Sequence, residues 1–145
     1  MTPDLNVLLA ASRIDHPQHS PALGWLKQAI AACDAGGNIE VLPMVAAGFL
    51  RISTNRKVFV APMTIGAAVD FLESLLRIPG VNMPELGREW PALRQLSLDH
   101  DLKTNDITAA WIAAAVRTLG GHLVTFDRGF TRFLGRTELT VLKPT

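Results

Sequence analysis

Apolar positions along this chain fall into two kinds of run, helical stripes and short continuous stretches, and the two alternate. Within HPQHSPALGWLKQAIAAC, Leu23, Leu26 and Ile30 recur at three and four residues, which predicts a helix over 16–33 with Pro21 suited to its first turn. DAGGN (34–38) stops it. IEVL (39–42) is a short strand closed by Pro43, and PMVAAGFLRIST (43–54) predicts a helix with proline at its first turn, followed by a loop over 54–62. TIGAAVDFLESLLRI (64–78) is an amphipathic helical pattern with Thr64 as its N-cap. PGVNMP breaks that pattern, and residues 85–98 carry another around Leu86, Trp90, Leu93 and Leu96. The clearest helix is KTNDITAAWIAAAVRTLGG (103–121), where Ile107, Ala110, Trp111, Ala114, Ala115 and Leu119 share one side and two glycines end it. HLVTF (122–126) then reads as a buried strand, and LTVL (139–142) as a last short one. For residues 1–9, with LNVLLAA at their core, periodicity alone does not separate strand from helix. Strands alternating with helices imply an α/β fold, a parallel sheet with helices on both faces. Apolar runs without polar alternation agree with strands buried on both sides.

Composition narrows the class. The 145 residues fit one domain over 1–145, and 48% hydrophobic with 19% charged residues is a globular balance. Net charge is +1, so contact with nucleic acid has to come from a local patch and not from bulk basicity. A single cysteine, Cys33, allows neither an internal disulfide nor a thiolate zinc cluster, which fits a reducing cytoplasm. The opening MTPDLNVLLAAS has no basic region of a signal peptide, and no apolar run reaches the roughly 20 residues of a membrane span, so a cytoplasmic protein with no membrane contact is expected.

The informative residues are three aspartates. Asp70, Glu73, Glu85 and Glu89 lie on helix faces, where solvation explains them. Asp4 instead interrupts the N-terminal apolar segment, Asp106 opens the alanine-rich helix, and Asp127 ends HLVTF. Each has a local explanation, as a helix cap, a dipole partner or a turn residue. Together they fall where open parallel sheets place their binding crevice, at the carboxyl ends of strands. Carboxylates crowded there raise one another's pKa, and a divalent cation removes that cost. Oxygen ligands with no histidine or cysteine nearby point to Mg²⁺ or Mn²⁺.

These motifs are similar to those of the PIN-domain family, and more closely to the VapC-type toxins of bacterial toxin–antitoxin pairs. PDLNVLLAA resembles the family's first acidic motif, and NDITAAWIAAAVRTLGGHLVTFDRGFTRF its C-terminal half. FLRISTNRKVF resembles its middle helix and following loop. The resemblance spans nearly the whole chain. It implies a three-layer α/β/α sandwich around a central parallel sheet, with strands one and four adjacent so that Asp4, Asp106 and Asp127 meet. It also implies a Mg²⁺-dependent endoribonuclease, with Mn²⁺ as substitute, that cleaves RNA to arrest growth. Such a protein acts as a homodimer and is held in a hetero-oligomer by a VapB-like antitoxin. Asp4 and Asp106 become the expected inner-sphere ligands and Asp127 completes the site directly or through water, while Asn6 and Thr125 are placed to fix the carboxylates from behind. One departure stands out. The family's usual fourth acid, most often glutamate on the second helix, falls here at about Ala47 or Gly48. A PIN-like RNA-binding protein that has lost catalysis is therefore the alternative reading.

RNA also has to be held by its backbone. Arg56, Arg128 and Arg132 are the expected contacts, with Arg13, Arg51 and Lys57 as further basic positions near motif ends or in loops. Trp25, Trp90 and Trp111 are of a type that could stack on bases, but they fall at helical apolar positions and are expected in the core. His16 and His19 are read as a solvent-exposed lead-in to a helix.

Overall fold

The ambiguous N-terminal segment contains both alternatives. In the computed structural model, which describes Met1–Thr145, a two-residue strand β1 (Thr2–Pro3) passes through Asp4 into helix α1 (Leu5–Ser12). Val7, Leu8, Leu9, Ala10 and Ala11 of α1 are all buried, so this helix has no polar face. That is why its sequence shows no period.

The chain continues through α2 (His19–Cys33), β2 (Ile39–Glu40), α3 (Pro43–Ser53), α4 (Ile65–Leu76) and β3 (Val81–Asn82). It then forms α5 (Trp90–Asp99), α6 (Asp106–Thr118), β4 (Leu123–Thr125), a 3₁₀ turn (Arg128–Arg132) and β5 (Leu139–Val141). β3 lies inside PGVNMP, read above only as a break. Two residues are too few for any periodicity, and pairing with β2, Ile39 opposite Val81, is what makes them a strand. α5 starts at Trp90 and not at 85, because Gly87 sits at φ +136°, outside helical space. α6 starts at Asp106 and not at 103, because Thr104 adopts φ +44°.

All strand pairs are parallel. β4 lies between β1 and β5, with Pro3 opposite Val124 and Thr125 opposite Val141. β2 and β3 form a second ladder, joined to the first where Glu40 N–H donates to the Met1 carbonyl at 2.9 Å. The strands therefore run in the order β3-β2-β1-β4-β5. Succession moves outward from β1 in one direction and outward from β4 in the other, so the order reverses between β1 and β4. Crossover helices cover the sheet to give a three-layer α/β/α sandwich. α1 packs on α2 and α3, and α5 packs on α6. One cluster of 26 buried apolar residues runs through the layers, from Val7 and Leu8 through Phe49 and Val116 to Phe133.

Candidate active site

The reversal between β1 and β4 leaves a crevice at their carboxyl ends, the place where open parallel sheets bind ligands. Asp4 immediately follows β1, and Asp127 lies two residues beyond β4. Both line a cleft of about 230 Å³ together with Gly48 and Arg51 of α3, Asn105 and Thr108 at the start of α6, and Phe130. A larger cavity of about 540 Å³ sits near the amino ends of the strands, lined by Met1, Asn38, Glu40 and His122. No pair of carboxylates meets there.

Asp4 is only 6% exposed. It is the N-cap of α1, and one carboxylate oxygen accepts the Leu5 N–H at 2.7 Å. The other accepts the Thr125 hydroxyl at 2.6 Å. That hydroxyl in turn accepts from the Asn6 side-chain amide at 3.2 Å and the Asp127 N–H at 3.0 Å. One proton given and two received is the full capacity of a hydroxyl, so Thr125 is saturated. The Asn6 amide oxygen accepts the Phe126 N–H at 3.2 Å, which fixes the amide's orientation. Asp4, Asn6, Thr125 and Asp127 thus form one network linking the end of β1 to the end of β4. Burial pushes the Asp4 carboxyl above its ordinary pKa, and the neighbouring Asp127 charge adds to this, against the hydrogen bonds from Thr125 and Leu5. Asp127 is exposed and caps the 3₁₀ turn by accepting the Gly129 N–H at 2.8 Å.

Asp106 is placed differently from its expected position. The cleft is lined from α6 by Asn105, Thr108, Ala109 and Ile112, spaced three, four and seven residues along one helical face. Asp106 is turned about 100° off that face by helical geometry. Its carboxylate meets the Arg132 guanidinium at 3.4 Å. So Asp4 and Asp127 share the cleft, and Asp106 stands at its rim. Arg132, expected on RNA, is engaged by Asp106 and lies 5.0 Å over the Phe133 ring. Arg56 and Arg128 are exposed and outside the cleft. Asn105 and Thr108 were not singled out in the sequence. The signal available was their helical spacing from Ile112.

Gly48 marks the missing fourth acid. It lines the cleft, and a Cβ there would lie 3.1 Å from the Leu5 side chain, so α3 approaches α1 at a residue with no side chain. Nowhere do three or more aspartate, glutamate, histidine or cysteine side chains converge as a ligand set. Two carboxylates beside amide and hydroxyl oxygens still suit Mg²⁺, which keeps several waters and takes one or two carboxylates plus phosphate oxygens. They do not suit zinc, which takes tetrahedral nitrogen and sulfur ligands.

The profile described as PIN domain matches residues 1–134. The chain belongs to the PIN-domain family. Among its relatives, VapC ribonuclease Mb2897 of Mycobacterium bovis is 37% identical over 132 residues, covering 90% of this chain and 87% of the relative. Ribonuclease VapC31 of Mycobacterium tuberculosis is 37% identical over 133 residues, covering 90% of each. Among solved structures, VapBC2 from Rickettsia felis, bound to a DNA fragment from its promoter, superimposes with a TM-score of 0.65 over 98% of both chains at 16% identity. At that identity the likeness speaks for the fold. In this PIN domain the aspartates that follow β1 and β4 line one cleft, and no helix is long and apolar enough to cross a membrane.

Proposed function

We propose that this PIN domain is a Mg²⁺-dependent endoribonuclease, with Mn²⁺ as substitute, and the toxin of a VapBC-type pair. The observation that carries the reading is the pairing of Asp4 and Asp127 at the strand-order reversal, tied together through Thr125. Two relatives that match nine-tenths of the chain bear the name ribonuclease. Asp4 and Asp127 hold the cation, and Asp106 acts from the rim. Bound Mg²⁺ supplies an activated water and neutralises charge on the phosphoryl oxygens. Thr125 and Asn6 keep the Asp4 carboxylate in one orientation, so that its free lone pairs face the cleft. Asn105 and Thr108 offer neutral oxygens and donors to cation-bound water or phosphate. Exposed Arg56 and Arg128 lie outside the cleft, where they meet the RNA backbone by charge alone.

The solved neighbour is a VapBC complex, which supports a VapB-like antitoxin as partner. Val58 and Val60 on the loop after α3, with Ile65 and Val69 on α4, are large exposed apolar side chains. They supply a surface for that antitoxin or for a second copy of the chain. A toxin of this kind arrests growth when freed, and works in the cytoplasm.

A second reading has its own support. Gly48, and an α6 face without a carboxylate, leave the cleft with two acids, as in a PIN domain that binds RNA without cutting it. Incubating the purified chain with total RNA in Mg²⁺, Mn²⁺ or EDTA separates the two. Fragments with defined ends that need metal support the nuclease. Binding without fragments in any metal supports the second reading.

A further inference from the structure

Trp111 was expected in the core and is not there. It is 36% exposed, on α6 one turn beyond Thr108. It forms one wall of a groove of about 430 Å³ with Pro43, Met44, Ala47, Gly48 and Arg51 of α3. Met44, Gly48 and Arg51 also line the aspartate cleft, so groove and cleft are continuous across α3.

The indole is held in place. Its N–H donates to a Glu89 carboxylate oxygen at 2.9 Å. Glu89 is 6% exposed and also accepts the Gly87 N–H. Burial alone would raise the Glu89 carboxyl, but the hydrogen bonds from Trp111 and Gly87 outweigh it and hold the pKa below the ordinary value. A charged acceptor therefore fixes one edge of the ring, and the ring meets a ligand with little further loss of freedom. Arg51 stands at the junction of groove and cleft, is exposed, and takes part in none of the three ion pairs of the chain. A fixed aromatic wall and an uncommitted guanidinium beside a two-carboxylate cleft are the parts of a single-strand nucleic-acid subsite, where bases stack and phosphates meet arginine.

We propose that the Trp111 groove receives the unpaired base flanking the scissile phosphate of a single-stranded RNA, with Arg51 holding the phosphate between groove and cleft. The proposal rests on the ribonuclease reading and adds its substrate subsite. Stacking strength sets the preference there, so a purine is favoured over a pyrimidine without a strict sequence requirement.

The test uses the full chain carrying Asp4→Asn to suppress cleavage, and short labelled RNAs in which one abasic ribose is moved from position to position. Affinity is read by fluorescence anisotropy in Mg²⁺. One abasic position is expected to weaken binding about 10-fold, in keeping with the loss of a stacked base. Adding Trp111→Ala removes that sensitivity at the same position and weakens the intact RNA by a similar factor. Trp111→Phe, which keeps a ring, retains most of the affinity and guards against a folding defect in the alanine variant. Arg51→Ala weakens all RNAs alike and lowers the salt slope by about one. Equal affinity of the Trp111→Ala and parent proteins for every RNA overturns the subsite. So does a Trp111→Ala protein whose only change is a loss of protein–protein association. If the unsubstituted chain neither binds nor cleaves RNA, the ribonuclease reading itself fails. If cleavage persists while Trp111→Ala is neutral, only the subsite fails.

Discussion

Thr125 donates its hydroxyl proton to Asp4 at 2.6 Å, joining residues 121 positions apart in sequence. The same oxygen receives the Asn6 amide and the Asp127 N–H. Thr125→Val keeps the shape and the β-branch but leaves a buried carboxylate oxygen and two donors without a partner. It is expected to destabilise the fold by about 2 kcal/mol. Cleavage is expected to fall about 10- to 100-fold, the usual effect of losing a group that orients a metal-binding carboxylate. Thr125→Ser restores the hydroxyl and recovers most of both. Urea titration and single-turnover cleavage check the two parts. Unchanged cleavage in the valine variant removes Thr125 from the site.

Asp4 is costly to the fold and useful to the site. Its pKa is raised above 3.8, chiefly by burial. A group with a raised folded pKa contributes stability that is complete below its unfolded pKa and is lost as pH rises through the folded value. In EDTA the protein is therefore expected to lose stability as pH rises from about 4 through the raised value of Asp4. Asn removes the buried charge, but its single amide oxygen accepts from only one of Leu5 N–H and Thr125 O–H and sets an N–H against the other. Asp4→Asn is expected to abolish cleavage and to remove that loss of stability with rising pH in EDTA. Mg²⁺ should raise the melting temperature of the parent and not of Asp4→Asn. Thermal melts at pH 4, 6 and 8, with EDTA or Mg²⁺, decide the matter. An Asp4→Asn protein that keeps the parent's loss of stability with rising pH in EDTA contradicts the assigned cost of burial.

How legible this was in the sequence depended on whether a residue's role is local. Helices α2, α3 and α4 could be read because each turns one apolar stripe inward and ends at a glycine, a loop or a proline. α1 could not, because it is buried all round, and β3 could not, because a two-residue strand exists only through its partner. Asp4 and Asp127 were readable as strand-end acids, and Asn6 and Thr125 as their neighbours. Asp106 and Trp111 depended on the phase of α6. The face of α6 that is buried, Ala110 and Ile112 to Val116, sets that phase, which leaves Asn105 and Thr108 lining the cleft and Asp106 against Arg132. Gly48 was visible as a missing acid. Its close approach to Leu5 was not.

Arg13 was a candidate for RNA, and the structure gives it other work. It is 8% exposed, donates twice to Asp15, both at 3.0 Å, and donates to the Ala61 carbonyl at 2.8 Å. Its guanidinium carbon lies 4.0 Å from the centre of the Phe59 ring. It therefore fastens the loop after α3 to the end of α1. Arg13→Met leaves the Ala61 carbonyl unpaired and is expected to cost about 2 kcal/mol. Arg13→Lys does not restore the planar two-point contact. RNA affinity and its salt slope should stay unchanged in whatever fraction remains folded. A variant of parental stability with weakened RNA binding returns Arg13 to the substrate surface.

The placement of Asp106 separates the geometry from the expectation drawn from motif order. Motif order made Asp106 an inner ligand beside Asp4. The structure sets its carboxylate, on a side chain 45% exposed, 3.4 Å from the Arg132 guanidinium. A pair so open and so long holds little energy, because water screens it. Asp106→Asn is expected to lower cleavage less than about 10-fold, whereas Asp127→Asn, which removes a carboxylate facing the cleft, lowers it at least about 100-fold. Mg²⁺ affinity, read by calorimetry on the same proteins without RNA, should follow the same order. Arg132→Ala frees Asp106 and supplies the control. If Asp106 is held away from the cation, that variant is unchanged or more active in Mg²⁺. If Asp106→Asn abolishes both cleavage and Mg²⁺ binding, the ion pair opens when the cation enters, and Asp106 is a ligand after all.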